Sequence, residues 1–156
     1  TPQLKKVVLN FGSKEINNLT SLLKIVNVLE LISLNTVILA CSKTSNILLK
    51  FREGTAVGCK ITLRNDSMYI FFFKLILVIL PKLRQLEGIK SLLTKFYCKA
   101  FSFTINNLPI FSNVDNHYSI FTNLPKLQIN IITSCKNEKE IQSLLTSFRF
   151  PSSYCI

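Results

Sequence analysis

The chain has 156 residues, enough for one core that buries roughly 70% of the surface of the unfolded chain. Nineteen Lys and Arg against eight Asp and Glu give a net charge of +11, yet charged residues make up only 17% of the chain and apolar ones 48%. That apolar share excludes a disordered basic tail, four Gly and five Pro exclude a collagen-like chain, and the positive field disfavours an enzyme of cationic substrates. Lys outnumbers Arg fifteen to four. With abundant Ile, Asn and Phe, this is the usage of an AT-rich gene such as an organelle's, a statement about the gene and not the fold.

The pattern predicts a strand over Gln3–Phe11, with Lys5, Val7, Leu9 and Phe11 on one side and Lys6, Val8 and Asn10 on the other, ending at Gly12. A helix follows over Glu15–Leu34, opened by Ser13 and stopped at Asn35, with Ile16, Leu19, Leu22, Leu23, Val26 and Leu29 inward. Thr36–Cys41 reads as a short apolar strand and Ser42–Gly54 as a basic loop with an apolar tip. Thr55–Arg64 is the clearest strand, because Cys59, Ile61 and Leu63 alternate with Lys60, Thr62 and Arg64. A turn at Asn65 and Asp66 leads into a helix over Ser67–Leu80, capped by Asp66 or Ser67 and stopped by Pro81. Lys82–Tyr97 is mixed and basic, Phe101–Ile105 alternates as a strand, and Asn106–Lys126 reads as a long irregular excursion. Leu127–Ser134 is a strand with Leu127, Ile129 and Ile131 on one face and Gln128 and Asn130 on the other. A helix over Asn137–Phe148, capped by Asn137, turns Ile141, Leu144, Leu145 and Phe148 inward, and the tail, Arg149–Ile156, trails off after Pro151.

The five cysteines, Cys41, Cys59, Cys98, Cys135 and Cys155, include no CxxC pair and read as buried free thiols in a reducing compartment. His117 reads as a solvated loop residue. Met68–Leu80 is the most apolar stretch, but thirteen residues interrupted by Lys74 fall short of the roughly twenty that a bilayer span needs, so it reads as a buried helix. The N-terminus, TPQLKK, shows no signal peptide or Arg-rich presequence, and it lacks an initiator Met, as a chain that begins inside a longer protein would.

These elements predict an α+β fold for the single domain 1–156: an antiparallel sheet with helices packed on one face. The open, polar-basic face then carries Asn10, Lys60, Thr62, Arg64, Gln128 and Asn130. Amides, hydroxyls and cations without carboxylates suit RNA phosphates, 2′-hydroxyls and base edges; the plain alternative is a solvated sheet face. Catalytic constellations are missing. The only Asp residues are Asp66 and Asp115, one His cannot build a His-based metal site, and no GxSxG, P-loop or GxGxxG motif occurs. No enzyme, cofactor or metal site is expected.

Val7–Gly12 (VVLNFG), Gly54–Arg64 (GTAVGCKITLR), Met68–Leu80 with the following PKLR, Gly88, Asp115, LQINIITSCKNEKE and FRFP fall in one order along the chain. In this order they resemble the ribosomal protein five family of the large subunit, the bacterial-type 5S-rRNA-binding protein of the central protuberance. The run from Gly54 to Phe71 is the most specific part. The resemblance implies the fold just described and contacts to rRNA through Asn10, Asn35 and Thr62, with Asn35 standing where the family has Gln and Lys60 and Arg64 flanking Thr62. It implies that the Ser42–Gly54 loop, with Lys43, Ser45, Lys50 and Arg52, reaches the P-site tRNA. Neighbouring large-subunit proteins and, through the excursion, a small-subunit protein across an intersubunit bridge are the implied protein partners. An organelle ribosome, mitochondrial or alternatively plastid, is the expected location. Three departures mark the chain: KAFS at Lys99–Ser102 in place of a glycine-rich turn, Asn113, Val114 and Asp115 in place of an acidic stretch, and no family-type helical segment ahead of the first strand. A free RNA-binding or chaperone protein of the same fold is the alternative reading, and a membrane-associated basic protein a third.

Overall fold

The computed structural model describes residues 2–12, 19–48, 52–87, 95–97, 99–115, 121 and 124–150. Strand β1 (Leu4–Gly12) is followed by helix α1 (Leu19–Ser33), strands β2 (Ile38–Cys41) and β3 (Ala56–Leu63), and helix α2 (Asn65–Lys74). A π-helical segment, Leu75–Ile79, joins α2 to α3 (Leu80–Glu87). Strands β4 (Lys95–Tyr97) and β5 (Ala100–Ile105), a 3₁₀ turn at Leu108–Ile110, the short α4 (Ser112–Asp115), β6 (Leu127–Thr133) and α5 (Glu138–Ser147) complete the order. The strands form a six-stranded sheet in the order β2-β3-β1-β6-β5-β4, with β2 antiparallel to β3 and β4 antiparallel to β5. The expected α+β class, an antiparallel sheet with helices, is what the chain adopts. Two compact units are distinguished: Leu9–Ile61 with Asn106–Leu127, and Thr1–Val8 with Thr62–Ile105 and Gln128–Ile156.

In the first of these units, alternation buries Leu9 and Phe11 of β1 and Cys59 and Ile61 of β3. Helix α1 departs from its predicted face. Ile25, Val28, Leu29 and Ile32 are buried, whereas Leu19 and Leu23 are 73% and 52% exposed. Thr20, Lys24, Asn27 and Glu30 mark a polar side, but the apolar arc from Val28 round to Leu23 is wider than one packing face, so periodicity alone does not say which part of it is buried; packing against α4 does, and the Asn113 side-chain amide donates to the Leu31 carbonyl at 3.0 Å. The helix ends at Ser33, one residue before the expected Leu34, and Leu34 rather than Asn35 makes the stop: Leu34 takes the left-handed conformation (φ 57°) and its N–H donates to Glu30 O at 2.7 Å. Ser33 Oγ donates to Leu29 O. The predicted start of this helix lies outside the described residues. The excursion after β5 is less irregular than expected, because Leu108, Ile110, Phe111, Val114 and Phe121 are all buried and pin it to the unit.

In the second unit, α2 begins at Asn65 without a side-chain cap; Arg64 is the capping residue and Asp66 sits in the first turn, so neither Asp66 nor Ser67 caps it. The helix also runs past Pro81, contrary to expectation. Proline lacks an N–H and crowds the carbonyl four residues back, and the turn just before it is widened so that the Leu80 N–H reaches Leu75 O. This lets Leu75, Ile79, Leu80 and Leu83 stay buried on one side while Pro81 faces solvent. Helix α5 buries Ile141, Leu144 and Leu145 as predicted. Asn137 precedes it without a side-chain hydrogen bond, and instead the Glu140 carboxylate accepts from the Lys136 N–H at 2.9 Å. The expected trailing tail after Pro151 lies outside the described residues. Arg149 takes φ 57°, its N–H donates to Thr146 O, and the Phe150 N–H donates to Leu145 O, a Schellman closure. That reversal sends Phe150 into the core, edge-on to Phe101 at 5.3 Å, while Phe148 meets Phe72 at 5.2 Å.

Among the described cysteines, Cys59 and Cys135 are buried free thiols, but Cys41 is exposed because β2 is an edge strand; Cys98 and Cys155 lie outside the described residues. Burial pushes the Cys59 thiol up from 9.0 to about 12. The folded thiol therefore keeps its proton where the unfolded one ionises. This contribution to stability is whole below about pH 9 and is lost as pH rises from there to about 12. Maleimide labelling of the native protein at pH 8 is expected to modify Cys41 and spare Cys59 and Cys135 until the chain is unfolded; rapid native labelling of Cys59 would contradict its placement.

No described helix is long and apolar enough to cross a membrane.

Candidate nucleic-acid interface

The residues that alternate away from the core define the candidate site. In the unit that holds them, Asn10 of β1 is half-buried, Lys60 of β3 is exposed and Asn35, just after α1, is exposed. The register sets Ile38 of β2 opposite Lys60 and Ala40 opposite Gly58, so the β2 end of this face is apolar. In the other unit, Thr62 is half-buried and Arg64 exposed at the end of β3, Lys6 and Val8 of β1 are half-buried, and on β6 Gln128 is exposed and Asn130 half-buried. Among the described residues, no other side chain bonds to or ion-pairs with the Lys60 ammonium or the Arg64 guanidinium. Lys6 is a cation on the Asn10 side of β1 that the predicted site set omits; strand alternation alone is enough to find it.

Gly58 explains how β1 and β3 come close enough to carry Asn10 and Lys60. A Cβ at this position would clash with the Phe11 carbonyl oxygen, so only glycine admits the approach.

The loop between β2 and β3 is closed at its base by backbone bonds from Ser42 N–H to Thr55 O (2.8 Å) and from Gly54 N–H to Ser42 O (3.0 Å). Gly54 turns the chain with φ 83°, a conformation that suits glycine. Further out, Asn46 Oδ1 accepts from the Leu48 N–H, an Asx turn that presents Ile47 and Leu48, 92% and 93% exposed. Lys43, Ser45 and Arg52 are exposed, as is Glu53; Lys50 lies outside the described residues, as does His117. The described residues hold no group of three or more His, Cys, Asp or Glu placed to bind a metal ion.

Comparison with known proteins agrees with this architecture. A family model described as the C-terminus of the ribosomal L5 family matches residues 56–152. The chain is 32% identical over 152 residues to the "Large ribosomal subunit protein uL5m" of Reclinomonas americana, covering 96% of this chain and 82% of the relative. It is 36% identical to the "Large ribosomal subunit protein uL5" of Desulforapulum autotrophicum, covering 96% of this chain and 83% of that relative. The match takes in β3, α2, β5, β6 and α5, the elements that carry Lys60, Thr62, Arg64 and the unit around Phe72. The chain belongs to the ribosomal L5 family and is a structural, non-enzymatic constituent of the large ribosomal subunit, with rRNA and ribosomal proteins as its partners.

Proposed function

We propose that the chain acts as one RNA-binding domain of an organelle large subunit, mitochondrial in preference to plastid, and holds 5S or equivalent rRNA in the central protuberance. Asn10, Asn35 and Thr62 read the RNA through amide and hydroxyl contacts, and Lys60 and Arg64 hold phosphates. The observation that carries this reading is the strand alternation: Cys59, Ile61 and Leu63 are buried while Lys60 and Arg64 are exposed, which leaves cations and hydrogen-bonding groups on the solvent side of a chain of net charge +11. Such a surface binds through release of counterions. Affinity for 5S rRNA is therefore expected to fall by roughly 10³–10⁵ between 50 and 200 mM salt for about 6–10 neutralised phosphates. A flat salt dependence in filter binding would end the proposal. The uL5m name and organism of one relative, beside the bacterial source of the other, support the organelle location together with the AT-type composition.

The loop between β2 and β3 is the part that touches P-site tRNA, and the Asn106–Lys126 excursion is the part that meets a small-subunit protein across the bridge. Support for the loop's role is its exposed tip and the exposed Lys43, Ser45 and Arg52, with Lys50 as a further cation in sequence. Charge reversal of Lys43 and Arg52 together is expected to leave subunit assembly intact and weaken P-site tRNA retention about tenfold; unchanged retention would exclude the loop. A free chaperone of the same fold would instead bind RNA without sedimenting with large subunits.

A further inference from the structure

The solvent side of α2 and of the π-helical segment after it carries an apolar seam. Ile70, Phe73 and Leu77 are 68%, 49% and 71% exposed, with Tyr69 and Val78 at 40% on either side. The opposite side buries Met68, Phe71, Phe72 and Leu75, so the exposure is a second apolar side and not a loose core. The spacing of three and then four is the a-d-a step of helix-on-helix packing. Lys74, Val78 and Lys82 follow at intervals of four beside it, and Arg84 is exposed one turn beyond Pro81.

Size and charge decide what covers this seam. From Ile70 to Leu77 it runs about 10 Å, far less than a partner needs to contribute the roughly 800 Å² of a stable free dimer. A second copy would also set cations against cations. A bilayer surface favours an apolar face wider than a two-turn seam. RNA phosphates gain nothing from Ile, Phe and Leu. A helix that matches the seam and places carboxylates beside Lys74 and Lys82 satisfies both features. So short a contact is enough when both proteins are already held in one particle at high effective concentration.

We infer that Ile70, Phe73 and Leu77 form a docking seam for an amphipathic helix of a neighbouring large-subunit protein, one that carries Asp or Glu toward Lys74 and Lys82. The inference rests on the chain's place in the large subunit and not on which RNA its strands hold. The test puts photoreactive benzoylphenylalanine in place of Phe73 in the full chain, assembles it into large subunits and irradiates them. The expected product is a cross-link to one helix of one neighbouring protein with acidic residues beside its apolar stripe. Lys74→Glu with Lys82→Glu is expected to cut its yield about tenfold while the chain stays in the subunit. A cross-link to rRNA or to a second copy, or none to protein, overturns the seam alone. So does flotation of the free chain with phosphatidylcholine–cardiolipin vesicles that Ile70→Glu with Leu77→Glu abolishes. A chain that never enters the subunit is seen in the gradient before irradiation, and it removes the large-subunit placement together with the seam.

Discussion

Replacing Thr62 with Asp and Arg64 with Glu is expected to lower rRNA affinity about a hundredfold at low salt and to deplete the chain from large subunits, without unfolding it. The double change converts a hydroxyl and a cation into two carboxylates, a net change of three charges. Loss of a charge-assisted phosphate contact, together with repulsion from the backbone, amounts to about 3 kcal/mol. The fold tolerates both changes for separate reasons. Arg64 is exposed and precedes the first turn of α2, where a negative charge is favoured by the helix dipole. Thr62 is half-buried on the side of β3 opposite Ile61 and Leu63, so its Asp is expected to cost no more than about 1 kcal/mol. Quantitative mass spectrometry of gradient-purified subunits, with circular dichroism of the free chain, separates the two effects. Normal incorporation of the double variant would remove the RNA-binding role of this strand.

Gly58→Ala is expected to have the largest effect on stability of any single-methyl addition in the described chain. The added Cβ would clash with the Phe11 carbonyl oxygen, a backbone atom that cannot rotate aside, with Gly12 Cα 3.5 Å away. One strand must move, which breaks the ladder between β1 and β3 at the residues that carry Asn10 and Lys60. The expected loss is about 3 kcal/mol, or roughly 6–12 °C in Tm for a chain of this length. Gly12→Ala is the control, because a Cβ there meets nothing within 4 Å; its Tm is expected to stay within about 2 °C of the parent. Equal behaviour of the two variants in a thermal melt would show that the close approach at Gly58 is not required.

The strands were legible in the sequence because their signal is local. The alternation of Cys59, Ile61 and Leu63 with Lys60, Thr62 and Arg64, and of Leu127, Ile129 and Ile131 with Gln128 and Asn130, gives the buried and open sides without any knowledge of neighbours. The same holds for α5, where polar residues leave a single apolar stripe of Ile141, Leu144 and Leu145. From these elements the α+β class and the strand-borne candidates Asn10, Lys60, Thr62 and Arg64 follow, and the ordered motifs add the family and Asn35.

What only the tertiary structure decided are the places where the local signal is degenerate or where two rules conflict. Helix α1 has a polar side of Thr20, Lys24, Asn27 and Glu30 but an apolar arc wider than one packing face, so which part of the arc is buried, here Ile25, Val28, Leu29 and Ile32, is chosen by what it packs against and not by its period alone. Pro81 predicts a helix end, but burial of Leu80 and Leu83 outweighs the missing N–H once the turn from Leu75 to Ile79 widens around it. Arg149 has no sequence mark of a left-handed residue, yet burying Phe150 against Phe101 and Phe103 holds it there. Patterning along the chain reports which side of an element is apolar; which of two apolar sides is covered, and at what local strain, is fixed only when the elements meet.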